Sequence, residues 1–223
     1  MKYLKAFINL ERFKNITKIS FFSSFYNSKL GKYSRIYPFT KISNSLIGNL
    51  SYISYGCMIN NCQIGNYCSI ASGVKIGLGK HPVNFISTSP IFYSLKNPIK
   101  KTFIESQKFT EREKITVGSD VWIGANVVIF DGLSIGDGAI VGANCVVTKN
   151  IPPFAIVVGS PGKVIGYRFS EENVQKLLSL KWWNKDISEL HEFMNLFQVE
   201  ANDLVIAKLA SNIPIINLYD SLF

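Results

Sequence analysis

Residues 117–151 read VGSDVWIGANVVIFDGLSIGDGAIVGANCVVTKNI, and within them Val117, Ile123, Ile129, Ile135, Val141 and Val147 recur every six positions. Glycine follows four of them, at Gly118, Gly124, Gly136 and Gly142. Four places after each aliphatic residue stands another small or apolar one: Val121, Val127, Leu133, Ala139, Cys145 and Ile151. A period of six fits neither an α-helix nor a heptad. It fits short strands with alternating side chains that bend after every six residues, β-branched residues facing inward and glycine or asparagine relieving the bends.

Working outward, an earlier block repeats more loosely, with Ile47, Ile53, Ile59, Ile64, Ile70 and Ile76 spaced six, six, five, six and six apart. Ile36 and Ile42 begin it. Cys57, Cys68 and Cys145 fall four places after a repeat aliphatic, where a small inward side chain is wanted. They read as core rather than as nucleophiles, because free cysteine packs as a small hydrophobe. With Cys62 they show neither zinc nor redox spacing, so all are expected to be free thiols.

The repeat divides the chain into a basic extension at 1–35, a β-helix at 36–168 with a loop inserted at 78–116, and a helical segment with a tail at 169–223. Composition agrees with one globular unit, at 47% apolar and 17% charged residues. The formal charge of +9 is concentrated early, since residues 1–41 hold nine Lys or Arg against the single acid Glu11. That basic, aromatic arm suits contact with an anionic membrane, while a solvated arm is the plainer reading and nucleic-acid binding is not expected. The N-terminus lacks the unbroken apolar run of a signal peptide, so a cytoplasmic location, at the inner face of the membrane if the arm binds there, is expected.

The insertion is the first place to look for function, because long structureless insertions in compact folds are usually functional. It contains His81, one of two histidines in the chain. The other, His191, falls beside the apolar stripe Ile187, Leu190, Met194 and Phe197 of an expected helix and reads as structural. Ser170, Glu171 and Glu172 signal the start of a further helix with Val174, Leu177 and Leu178 on one face.

Four segments together carry a resemblance: GLGKHPVNFISTSPIF (77–92), TVGSDVWIGANVVI (116–129), VVGSPGKVIGYRF (157–169) and LKWWNKD (180–186). The chain resembles hexapeptide-repeat acyltransferases, in particular the branch of streptogramin and hexapeptide-type chloramphenicol acetyltransferases and related saccharide O-acetyltransferases. The resemblance implies a mainly β fold, a left-handed parallel β-helix with an extended active-site loop and a C-terminal α-helical segment. It implies a homotrimer that takes acetyl-CoA as co-substrate, without a metal, and acylates a saccharide acceptor. Transfer is expected to be direct, onto a hydroxyl of a surface polysaccharide or its precursor; acetylation of an antibiotic, or of an amino-sugar nitrogen, is the alternative.

Carried over by the resemblance, His81 is the general base, and Ala125, Ala143, Thr148 and Lys163 line the path of CoA. Arg168 stands in for an arginine that galactoside enzymes carry where this chain has Gly166. Trp122 and Ser87 border the acceptor. Lys80-His81-Pro82 replaces the Asn-His-Arg stretch of the antibiotic enzymes. A zinc carbonic anhydrase on the same fold needs three histidine ligands and two histidines do not supply them. A nucleotide-sugar pyrophosphorylase needs a further nucleotide-binding domain, and a non-catalytic scaffold would not bind acetyl-CoA.

Overall fold

The structure, a computed structural model, describes residues 18–212. The chain winds as a β-solenoid with three flat faces. The first face stacks β1 (Lys18–Ile19), β4 (Arg35–Ile36), β7 (Tyr52–Ile53), β10 (Ser69–Ile70), β13 (Trp122–Ile123), β16 (Ile140–Val141) and β18 (Ala155–Val158), all parallel, with β19 (Lys163–Tyr167) antiparallel at the edge. The second stacks β2 (Ser24–Tyr26), β5 (Lys41–Ser43), β8 (Met58–Asn60), β11 (Lys75–Ile76), β14 (Val128–Ile129) and β17 (Val146–Val147). The third stacks β3 (Lys29–Leu30), β6 (Leu46–Ile47), β9 (Cys62–Ile64), β12 (Ile115–Val117) and β15 (Ser134–Ile135).

Registration is one coil per repeat of the three faces. Ile36, Ile53, Ile70, Ile123, Val141 and Val157 pair in one inward column, each below 4% exposed, so the β-branched residues form the core of the prism. Each buried aliphatic of this size contributes about 1.5–3 kcal/mol. Corners need backbone that side chains disfavour or spaces they would fill. Asn126 and Asn144 sit at φ +58°, and a Cβ on Gly124 would come 2.5 Å from the Ala143 nitrogen of the next coil.

The mainly β architecture expected from the repeat is therefore what forms, with one correction at its start. Residues 18–35, expected in the extension, are the first coil: Lys18 and Ile19 pair with Arg35 and Ile36, and Phe25 pairs with Ile42. Ser34, Thr40, Ser45 and Ser51 take the buried positions that aliphatics hold later, their hydroxyls bonding carbonyls of the neighbouring coil or turn. The remainder of the basic extension, residues 1–17, lies outside the described residues. The insertion spans 77–114, since Ile115 and Thr116 already belong to β12.

Beyond β19, helices α1 (Glu171–Leu180), α2 (Ile187–His191) and α3 (Asp203–Asn212) fold back onto the coils. Ser170 caps α1, its hydroxyl accepting from Asn173 N–H. Val174, Leu177, Leu180, Trp183, Leu190, Ile206 and Leu209 form a second core against Phe154. The expected single helix over 186–197 is broken: α2 ends at His191, which is exposed, and a separate 3-10 turn covers Met194–Gln198. No helix among the described residues is long and apolar enough to cross a membrane.

Candidate active site

The inserted loop is tied at both ends to one carboxylate. Asp131, at the next coil's corner, accepts from Gly79 N–H at 2.8 Å and from Glu113 N–H at 3.4 Å. Arg112 reinforces the neck by donating to the Gly77 carbonyl at 2.9 Å, and Lys80 pairs with Glu113. Above this neck the loop builds a small core of its own. Tyr93 is fully buried, with Phe85, Phe109 and the His81 ring set edge-on around it.

His81 is fixed by this arrangement. Its Nδ1 lies 2.8 Å from the Thr88 carbonyl and 2.6 Å from the Tyr93 phenol oxygen. A backbone carbonyl only accepts, so the short contact assigns the ring proton to Nδ1 and leaves the acceptor lone pair of the neutral imidazole on Nε2. Nε2 has no hydrogen-bond partner among the described residues. The imidazole is exposed and lines a cavity of about 860 Å³ whose walls include Lys80, Ser94, Asn97, Gln107 and Glu111. Burial first, and the Glu111 carboxylate second, hold the Tyr93 phenol above its ordinary value, so it stays protonated.

Of the other residues singled out in the sequence, Ala125 and Ala143 stack at the corner between the first and second faces, Asn144 N–H donating to the Ala125 carbonyl at 2.8 Å. The hairpin that pairs Val158 with Lys163 covers the same corner one tier on. Thr148 follows β17 at the next corner, in line with the Gly77 from which the His81 loop departs. All four reach solvent at least in part. The structure thus gathers Ala125, Ala143 and Lys163 at one edge of the second face and Thr148 with the His81 loop at its other edge.

Three residues stand differently. Trp122 is 55% exposed on the first face and does not line the His81 cavity. Ser87 accepts from Ser89 N–H at 3.1 Å, shaping the turn that brings the Thr88 carbonyl to His81, and also does not line the cavity. Arg168 is engaged within the fold, donating to Asp120 at 2.9 Å and to the Gly138 carbonyl at 2.8 Å, with its guanidinium over Phe154 and Phe169. Sequence reasoning missed Thr88, Tyr93 and Asp131; the Ser-Thr-Ser-Pro string was its nearest signal.

The four thiols are unpaired and buried. Burial pushes Cys68 up to about 12 and raises Cys57, Cys62 and Cys145, which leaves no thiolate nucleophile near neutrality. No cluster of three or more His, Cys, Asp or Glu able to hold a metal occurs among the described residues.

Comparison with known proteins agrees with this architecture. Residues 114–149 match the hexapeptide repeat of succinyl-transferase. Fold and repeat are similar to those of hexapeptide-repeat acyltransferases. More particularly, the chain is 46% identical over 46 residues to virginiamycin A acetyltransferase of Staphylococcus aureus, covering 21% of each chain. It is 42% identical over 50 residues to a chloramphenicol acetyltransferase of Morganella morganii, covering 22% of this chain and 24% of that one. These alignments therefore span less than a quarter of the curated relatives' length. A galactoside acetyltransferase solved in complex with coenzyme A is similar over 64% of this chain and 65% of its own, at 29% identity and a TM-score of 0.51.

Proposed function

We propose that the protein is an acetyl-CoA-dependent O-acetyltransferase that modifies a saccharide hydroxyl, with His81 as general base. The carrying observation is the imidazole itself, locked through Nδ1 by the Thr88 carbonyl while Nε2 is left free at the wall of a large cavity. A hydroxyl is a poor nucleophile near neutrality, and a positioned base contributes about 10²–10⁴-fold. Nε2 takes the acceptor proton as the oxygen bonds to the thioester carbon. The carbon–sulfur bond breaks as the intermediate collapses, and the same proton passes to the departing CoA sulfur. With the thiols buried and protonated, direct transfer is favoured over an acyl-enzyme.

Likeness to a galactoside acetyltransferase bound to coenzyme A supports both the cosubstrate and the sugar acceptor. Ala125, Ala143, Thr148 and Lys163 are the positions we assign to CoA: the two small residues admit its pantetheine arm and Lys163 meets a phosphate. Their places along two edges of the second face suit a groove between neighbouring solenoids, and three-fold closure would supply three such grooves, hence a homotrimer. The basic N-terminus would hold the enzyme near anionic lipid on the cytoplasmic side.

Acetylation of an antibiotic is the second reading, favoured by the local matches to virginiamycin A and chloramphenicol acetyltransferases. Mass spectrometry separates the two: protein and acetyl-CoA are incubated with nucleotide sugars, oligosaccharides, chloramphenicol and streptogramin A. A mass gain of one acetyl group on a sugar supports the leading reading, whereas a gain confined to the antibiotics overturns it.

A further inference from the structure

Below the His81 cavity, on the second face, lies a smaller cavity of about 210 Å³ bordered by Lys41, Ser43, Met58, Asn60 and Arg112. Leu78 and Arg112 line both spaces, so the two cavities are neighbours. Side chains of the smaller one offer several free donors. Asn60 uses its carbonyl oxygen to accept from Ser43 at 3.0 Å and Asn44 at 3.3 Å, which leaves its amide N–H groups without a partner among the described residues. Arg112 spends Nη1 on the Gly77 carbonyl, which fixes the guanidinium, and its other N–H groups have no protein partner among the described residues.

Neither cation of this cavity, Lys41 or Arg112, has an ion-pair partner among the described residues, where the ion pairs are Lys80–Glu113, Arg168–Asp120 and Lys176–Glu172. Carboxylates of the loop neck turn to other donors, Glu111 to Ser94 at 2.6 Å and Gln107 at 3.3 Å, Glu113 to Lys80 and Asp131 to the two neck amides, and none of them lines the smaller cavity. On a longer scale, residues 12–104 contain twelve Lys or Arg and no Asp or Glu. The lining of the smaller cavity, with two cations and no carboxylate, favours an anion.

We infer that Lys41, Asn60 and Arg112 form an anion subsite that holds a phosphate or carboxylate of the acceptor beside the His81 cavity. The inference rests on the acetyl-transfer reading and narrows its substrate to negatively charged saccharides, such as a glycosyl phosphate or a uronic acid. A guanidinium presents paired N–H donors that match either group, and Lys41 adds a mobile point charge. Neutral acceptors leave these donors facing only water.

The test uses the whole chain saturated with coenzyme A, so that positions serving its phosphates are filled. Calorimetric titration with inorganic phosphate should reveal a site weakened about tenfold by Arg112→Gln, and similarly by Lys41→Gln, each removing a charge-assisted bond. Lys163→Gln should leave that site unchanged. Because Arg112 also braces the loop, Lys41→Gln, on a strand surface, keeps the test independent of loop folding. Parallel titrations with glucose 1-phosphate, glucuronate and neutral glucose rank phosphate against carboxylate, and glucose should not compete. Absence of phosphate binding, or binding that both substitutions leave within about twofold of wild type, overturns the subsite. A chain that fails to bind coenzyme A instead overturns the acetyltransferase reading, and the same titrations on the unliganded chain still decide the anion site.

Discussion

The phenol oxygen of Tyr93 and Nδ1 of His81 lie 2.6 Å apart, one fully buried in the loop core and the other at the cavity wall. Together with the Thr88 carbonyl on the same nitrogen, this contact holds the ring's proton on the side away from the acceptor. Tyr93 is thus a positioning residue that acts through His81. Tyr93→Phe keeps the ring packing and the carbonyl bond while removing one oxygen. From the usual effect of losing an outer hydrogen bond to a functional histidine, kcat should fall about tenfold. The acid limb of the kcat/KM profile should also move, a shift that a purely structural role would not produce. A profile superimposable on wild type, measured from pH 5 to 9, would assign Tyr93 to packing alone.

His81→Ala and Lys163→Ala separate base from binding residue within one assay. The first should lower kcat by about 10²–10⁴-fold with acetyl-CoA affinity retained. The second should raise the KM for acetyl-CoA and spare kcat. Steady-state kinetics with calorimetry of acetyl-CoA decides it: retention of more than about a tenth of kcat by His81→Ala would mean that the base lies elsewhere.

The thiols give a third test. Cys57, Cys62, Cys68 and Cys145 are raised by burial, Cys68 to about 12, so the reactive thiolate is scarce at pH 8. Iodoacetamide should leave activity intact and label the native chain slowly, while the denatured chain takes up four labels, one per cysteine. Rapid inactivation matched by labelling of one native cysteine would instead indicate an acyl-enzyme route. Intact-mass spectrometry beside an activity time course gives both readings.

How far the sequence could be read depended on what carried each feature. Coils built from Ile, Val and glycine were legible because their period follows from the chain's own geometry. The first coil was not, because its column residues are Ile19, Phe25 and Leu30, three different shapes in place of one repeated aliphatic, and Ser34 follows them with its hydroxyl on the Gly48 carbonyl. His81 stood out through its setting in the insertion and its neighbours in the motif. Its partners did not, since Thr88 acts through a backbone carbonyl and Tyr93 reaches it only after an aperiodic loop has closed on itself. Helix 186–197 failed for a related reason: an apolar stripe at helical spacing is equally served by one short helix followed by a 3-10 turn.

Arg168 provides the last prediction, because its surroundings favour a structural duty over the phosphate contact that its place in the sequence suggests. Its guanidinium joins β19's end to two coil corners through Asp120 and the Gly138 carbonyl, with both side chains of the pair 27% exposed. Burial is the largest influence on Asp120 and raises its carboxyl above the ordinary value of 3.8, while the Arg168 charge pulls it back. Removing Arg168 leaves a largely buried carboxylate without its cation, so Arg168→Ala should destabilise the fold by roughly 2 kcal/mol near neutrality, less than a fully buried pair would cost. The sign with pH follows. A carboxyl whose folded-state value is raised contributes stability below its unfolded value and loses it as pH rises through the folded one. Arg168→Ala raises Asp120 further, so the variant's deficit should be full at neutral pH and shrink as the pH falls through the raised Asp120 values and the carboxyl takes up its proton in both proteins. Thermal unfolding of both proteins across that range, with the KM for acetyl-CoA measured alongside, checks it. A Tm difference independent of pH, or a raised KM with unchanged Tm, would return Arg168 to the cosubstrate.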